Sequence, residues 1–177
     1  MGFLSLIINF AIFCSIFSAC MKYEVPPDEK AVNAAMSRNS HALAKKYHIR
    51  PFGVTVAMPE GDIQYLELEF QIQGPLPKQE IRQLLINAAH DFLADINSDA
   101  ELCAYLKNHS LTIKDIGIGL FLIDSKGRGL NDPDIGIAKI SRGALRYLTL
   151  VTNNIRSIKS EYDESYEEAL NILNSQK

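Results

Sequence analysis

The clearest pattern along the chain is a strict alternation between Ile63 and Gln73. Leu66, Leu68, Phe70 and Ile72 fall on one face; Glu67, Glu69, Gln71 and Gln73 fall on the other. Period two over this length predicts a strand in a sheet with one face on the core and one toward water. Gly74-Pro75-Leu76-Pro77 ends it, and the period then changes. From Lys78 to Ile96, residues Ile81, Leu84, Leu85, Ala88, Phe92 and Ile96 recur at helical spacing, leaving Arg82, Gln83, Asn87, Asp91 and Asp95 on the polar side. Ser98-Asp99-Ala100-Glu101 reads as a capping box that opens a second short helix to about Asn108.

Weaker patterns fill in the rest. Asp28 is placed to cap a helix to about Tyr47, with a stripe of Ala31, Val32, Ala35, Met36, Leu43 and Tyr47 broken at Asn39 and Ser40; Pro51 stops its continuation. Gly53–Met58 is a short strand, followed by a turn at Pro59-Glu60-Gly61-Asp62. Asp115–Asp124 is a strand with Ile116, Ile118, Leu120 and Leu122 on one side and Gly117, Gly119, Phe121 and Ile123 on the other. A Gly/Asp-rich loop covers Ser125–Asp134, and Ile135–Ile140 with Leu145–Val151 form a hairpin across Ser141-Arg142-Gly143-Ala144. A last helix is predicted from about Glu161 to Leu173, with the acidic run Glu161, Asp163, Glu164, Glu167 and Glu168 near its start. Hairpin-joined strands with helices on their apolar side predict an α+β two-layer sandwich, its mostly antiparallel sheet covered by helices on one face.

The first twenty residues follow neither period. No side chain from Met1 to Met21 is ionisable at neutral pH except the cysteine thiols, and the stretch is too apolar for a surface helix. It ends in Ser18-Ala19-Cys20, the small-residue ending of an export signal. Phe17-Ser18-Ala19-Cys20 resembles the bacterial lipobox, which implies lipidation of Cys20 and a mature chain that starts there. Phe17 stands where that motif usually has Leu, and no Lys or Arg precedes the apolar run. A retained signal anchor and plain cleaved secretion are the alternatives, since about 20 apolar residues also suffice to span a bilayer. N-myristoylation is disfavoured by Leu6, where the motif wants Ser or Thr. Residues 1–20 are therefore read as a signal segment, 21–27 as a tether stiffened by Pro26-Pro27, and 28–177 as one α+β domain. Location follows: exported, anchored in the bacterial cell envelope. Met21 and Lys22 after the cysteine, rather than Asp, favour the outer membrane by resemblance to lipoprotein sorting rules.

Ala44-Lys45-Lys46-Tyr47, Leu66 to Phe70, Ile96 to Leu102, Tyr105-Leu106, Asn131 to Asp134 and Tyr166 to Leu170 together resemble an uncharacterised family of small lipoproteins and secreted proteins from chlamydia-related bacteria. The likeness runs from about residue 35 to 173. It implies an envelope location and this fold, and names no reaction. One departure is Val54-Thr55-Val56-Ala57-Met58-Pro59, where the family is glycine-rich.

Composition narrows function further. A net charge of -3 without a basic stripe argues against nucleic acid as a partner. With Cys14 and Cys20 in the leader, Cys103 has no obvious partner, so the domain is not held by disulfides. His41, His48, His90 and His109 form no metal-binding spacing. His90-Asp91 point about 100° apart on a helix and read as surface residues. Cys103 would need His109 or another cation beside it to act as a nucleophile. Gly127-Arg128-Gly129 joins strand to strand, not strand to helix as a phosphate loop does, and Asn131-Asp132-Pro133-Asp134 with Gly136 is only a fragment of a calcium loop. Glu67 and Glu69 share a strand face about 7 Å apart, within glycosidase range, although paired Glu on such a face usually serves solubility. No catalytic residue, cofactor site or metal site is assigned. The expectation is a non-enzymatic, membrane-tethered binding or assembly protein whose contact surface is the polar face around Tyr65, Glu67, Glu69 and Gln71 plus the 124–134 loop. An envelope hydrolase or transferase, or an exported effector without lipid, is the rival.

Overall fold

The computed structural model describes residues 24–106, 110–151 and 154–175. Met1–Cys20, with the proposed lipidation site Cys20, and the first tether residues lie outside them, as does His109. The described elements run α1 (Pro27–Tyr47), β1 (Arg50–Ala57), a 3-10 turn (Pro59–Gly61), β2 (Tyr65–Gln73), α2 (Lys78–Ser98), α3 (Ala100–Cys103), β3 (Ile116–Ile123), β4 (Ile137–Ser141), β5 (Ala144–Val151), β6 (Asn154–Ser165) and α4 (Tyr166–Asn174). The strands form one sheet in the order β1-β2-β3-β4-β5-β6. Every neighbouring pair is antiparallel except β2 and β3, which run parallel. On one face α2 packs between α1 and α4, so the expected α+β architecture is the observed one.

Alternation sorts the two faces. Leu66, Leu68, Phe70, Ile116, Ile118, Leu120, Ala138, Ile140 and Leu145 point under the helices and are buried, against Ile81, Leu85, Phe92 and Ile96 of α2. Each large apolar side chain buried there contributes about 1.5–3 kcal/mol. Parallel strands cannot be joined by a tight turn, so the chain must cross the sheet between β2 and β3, and α2 is the main body of that crossover.

Several boundaries differ from expectation for identifiable reasons. Asp28 does not cap α1: Pro26 holds that position and Pro27 is the first helical residue, which has no N–H to satisfy. Asn39 and Ser40 do not interrupt the α1 stripe but are buried in it, with the Asn39 amide donating to the Ala35 carbonyl at 2.9 Å. Residues Arg50 to Phe52 join β1, a place open to Pro51 because this is an edge strand. The cap of α3 is Asp99, not Ser98; its carboxylate accepts from the Glu101 and Leu102 amides, and α3 ends at Cys103.

The largest correction is β6. Glu161, Asp163 and Glu164 lie on a strand rather than at a helix start; α4 begins only at Tyr166, with Ser165 and Glu168 forming its capping box. The signal was hidden because an inward-facing position of β6 carries a charge. Glu164 pairs through its backbone register with Leu145 and is 5% exposed. Its carboxylate accepts two hydrogen bonds from Arg82 (Nε at 2.8 Å, Nη2 at 2.9 Å) and one from the Tyr147 hydroxyl at 2.5 Å. Arg82, expected on the polar side of its helix, is 7% exposed. Lys78 rests over the rings of Tyr147 and Tyr162 at the rim of this cluster. Burial pushes the Glu164 carboxyl upward, but the Arg82 and Tyr147 hydrogen bonds outweigh it and hold it below its ordinary value.

This pair fastens α2 to the last strand. Arg82→Met leaves an uncompensated buried carboxylate and is expected to cost about 3–5 kcal/mol in urea unfolding, most of it recovered when Glu164→Leu is added. Because the folded-state pKa of Glu164 is depressed, its contribution is complete above the ordinary glutamate pKa and disappears as pH falls through the depressed value. The double variant should lose that part of the acid sensitivity; an unchanged acid transition would contradict the assignment.

Candidate functional site

On the face away from the helices, the geometry is set by two glycines. Gly117 and Gly119 of β3 point to this side, flanked by Glu67 and Glu69 of β2 and by Ser141 and Lys139 of β4. A Cβ on Gly117 would stand 2.3 Å from the Tyr65 hydroxyl oxygen and 2.9 Å from Glu67 Cγ; one on Gly119 would stand 3.3 Å from Glu69 Cγ. The bare backbone of β3 thus lets the β2 side chains lie flat across the middle of the sheet. A strand glycine with a close neighbour on its empty side is the usual sign of such an approach.

Tyr65 anchors the arrangement. It donates to Glu67 Oε2 at 3.0 Å, and since a carboxylate only accepts, the 2.7 Å contact with Ser141 Oγ is completed by the serine proton. Burial pushes the Tyr65 phenol up to about 12; the Ser141 bond works against this, and the Glu67 charge adds to it. Glu69 is also held above the usual carboxylate range, first by burial and then by repulsion from Glu67, with Lys139 partly offsetting both. Such a shift is in the direction a general acid needs.

Cations gather on the other side of the glycine strip. Ser141 and Ala144 flank a two-residue turn in which both Arg142 (φ 51°) and Gly143 (φ 78°) are left-handed, the geometry that continues sheet twist through a hairpin. The Arg142 guanidinium sits 5.3 Å from the centre of the Tyr65 ring. Lys139, Ser141, Arg142, Ala144 and Arg146 line a cavity of about 290 Å³. Arg146 is neutralised from β6 by Glu161 at 2.7 Å and Asp163 at 3.1 Å. Beyond this polar shelf the next row is apolar across β3, β4 and β5, where Phe121, Ile137 and Leu148 are paired in register between Gln71 and Glu161, and Phe52 packs on Phe121 with ring centroids 4.8 Å apart.

Among the described residues the remaining sequence candidates do not converge. His41, His48 and His90 are exposed on α1, after α1 and on α2. Asp91 does not face His90 but accepts from Lys46 and Tyr47 of α1 at 2.5 and 2.6 Å; burial raises its pKa, these bonds lower it further, and the net shift is downward. Cys103 is exposed, with its thiol toward the Asn97 carbonyl at 3.4 Å. In the 124–134 loop two of the three carboxylates are engaged: Asp124 accepts from the Lys126 and Arg128 amides and the Arg128 side chain, and Asp132 accepts from Lys159 at 2.6 Å. Those contacts make the loop a braced turn. Among the described residues no cluster of three His, Cys, Asp or Glu could hold a metal ion.

Tyr65, Glu67 and Glu69 were marked by strand alternation, whereas Lys139, Ser141, Arg142 and Arg146 were not. Their signal was the polar alternation on either side of the predicted turn, hidden by its ordinary composition. No family model, curated protein or solved structure matches this chain.

The shelf makes a prediction about its floor. In Gly117→Ala the new methyl collides with the Tyr65 hydroxyl and breaks its bond to Ser141, a loss of about 1–3 kcal/mol. This exceeds the gain of about 0.4–1 kcal/mol expected from a stiffer unfolded chain. Urea unfolding should show net destabilisation, and ultraviolet titration should bring one tyrosine down from about 12 toward the ordinary 10. A variant as stable as the parent with unchanged titration would refute the packing.

Proposed function

We propose that this chain is a non-enzymatic binding or assembly module, tethered to the bacterial envelope through Cys20, that offers the uncovered sheet face to its partner. The observation that carries the proposal is the one-sided sheet. Its uncovered face holds a polar shelf whose hydroxyls and carboxylates are already oriented by Tyr65–Glu67–Ser141 bonds, beside an apolar row containing exposed Phe52. Side chains fixed before contact lose less conformational freedom on binding. The tether is supported by the lipobox resemblance of residues 17–20, and the outer-membrane location by Met21 and Lys22 after the cysteine in place of Asp. Among the described residues no helix is long and apolar enough to cross a membrane, so any anchoring is assigned to the leader.

An enzyme reading has one supporting observation, the upward-shifted Glu69 beside Glu67. It requires Glu69→Gln to abolish turnover of a bound ligand while leaving its affinity intact.

The binding reading is tested in cells with photo-crosslinking residues at Gln71 and Thr55 on the uncovered face and at Gln83 and Ala94 on the helical side. Adducts confined to the sheet positions are expected, together with a diacylglyceryl-sized mass addition on Cys20 in the membrane fraction. Adducts only from the helical side would overturn the choice of face, and a membrane species that keeps Met1 would overturn the lipid tether.

A further inference from the structure

We infer that the cavity between β4 and β5 is an anion subsite that takes a phosphate-type oxyanion on a small ligand or headgroup. This deepens, and rests on, the assignment of the uncovered face as the contact surface. Three cationic side chains line the cavity, and none of its five lining residues is acidic. Arg146 is held by Glu161 and Asp163, and the Lys139 charge also acts on Glu69 from across Gly119, so Arg142 leads the attraction with Lys139 beside it. The Ser141 proton is committed to Tyr65, so the donors facing an anion are the two cations.

Arg142 is the most telling of these groups. It occupies a left-handed position (φ 51°) in a two-residue hairpin turn, where glycine or asparagine is cheaper. Strained positions of this kind persist only where the surrounding structure holds them, and they gather at functional sites. The side chain is not loose in compensation: the guanidinium lies over the Tyr65 ring, 5.3 Å from its centre. A planar donor held on an aromatic face is preorganised for two-point contact with an oxyanion. Ala144, directly across from Ser141, keeps the space open with the smallest side chain that β-structure readily accepts.

Size restricts the occupant. A volume of about 290 Å³ lies at the lower end of small-ligand sites, so the cavity fits a phosphate group with a small substituent rather than a length of polymer. The Glu67 and Glu69 side chains border the glycine strip on the far side, where they can accept hydrogen bonds from hydroxyl or ammonium groups of such a substituent. The shared chemistry is a phosphate group, free or borne by a lipid.

The test uses the full-length protein in detergent micelles, titrated in two arms that are both followed by amide chemical shifts. One arm is inorganic phosphate; the other is short-chain, water-soluble phosphatidylglycerol set against the matching phosphatidylcholine. Saturable shifts centred on Lys139 to Arg146 are expected with phosphate if the ligand is free. The same shifts with phosphatidylglycerol and not with inorganic phosphate are expected if the source is a lipid. In either case Arg142→Gly, which suits the turn geometry and so preserves the fold, should weaken binding about tenfold or more, the loss of one charge-assisted contact. Ala144→Leu, which fills the cavity, should remove saturation while leaving the amide spectrum of the helical side unchanged. No saturable binding in either arm, or binding that survives both variants, overturns the anion subsite. If phosphate fails but the sheet-face crosslinks form, the contact surface stands and only the subsite falls; crosslinks from the helical side alone overturn the surface itself.

Discussion

Two adjacent strands that run in the same direction cannot be joined by a hairpin, and β2 and β3, the second and third strands of this sheet, are such a pair. The connection has to travel back over the sheet, and here it is the 21-residue helix α2. Once α2 lies on one face, its apolar stripe dictates which face of every neighbouring strand is buried. The helix α1 packs beside it, and α4 returns to the same side after β6. All the helices among the described residues thereby lie on one side, and the other face of the sheet is left to make its own surface.

What that surface becomes depends on β3. With ordinary side chains at 117 and 119, the β2 row would stand upright, as polar strand faces usually do. With glycine there, Tyr65, Glu67 and Glu69 fold down over the strand, Tyr65 becomes 7% exposed, and its hydroxyl reaches Ser141 two strands away. The same flattening brings the Tyr65 ring under Arg142, so a carboxylate side and a cationic side meet across a strip of bare backbone. At the other end of the sheet, the Arg82–Glu164–Tyr147 cluster does a different job: it ties β6 to α2 through charge instead of through apolar contact.

The parts that were legible in the sequence are those where one property dominates. β2 was plain because every inward residue from Leu66 to Phe70 is apolar and every outward one is polar. α2 was plain because six apolar residues recur at its period. β6 was not, because its buried Glu164 and its acidic neighbours Glu161 and Asp163 mimic the first turn of a helix; only Arg82, eighty-two positions earlier, explains the charge. The site was half legible for a related reason. Alternation assigns Tyr65, Glu67 and Glu69 to an outward face, but it cannot say that a glycine two residues into another strand will let them lie down, or that Ser141 and Arg142 will meet them. Those are facts of register, and the parallel pairing that sets the register is invisible in a local pattern.

The shelf is a connected unit and not a set of side chains that happen to lie near one another. A double-mutant cycle between Tyr65→Phe and Ser141→Ala, read by urea unfolding, tests this directly. Residues sharing one buried hydrogen-bond network should show a coupling of about 0.5–3 kcal/mol. Additive effects, agreeing to within about 0.3 kcal/mol, would mean that the two hydroxyls do not hold each other and that the uncovered face has no built platform.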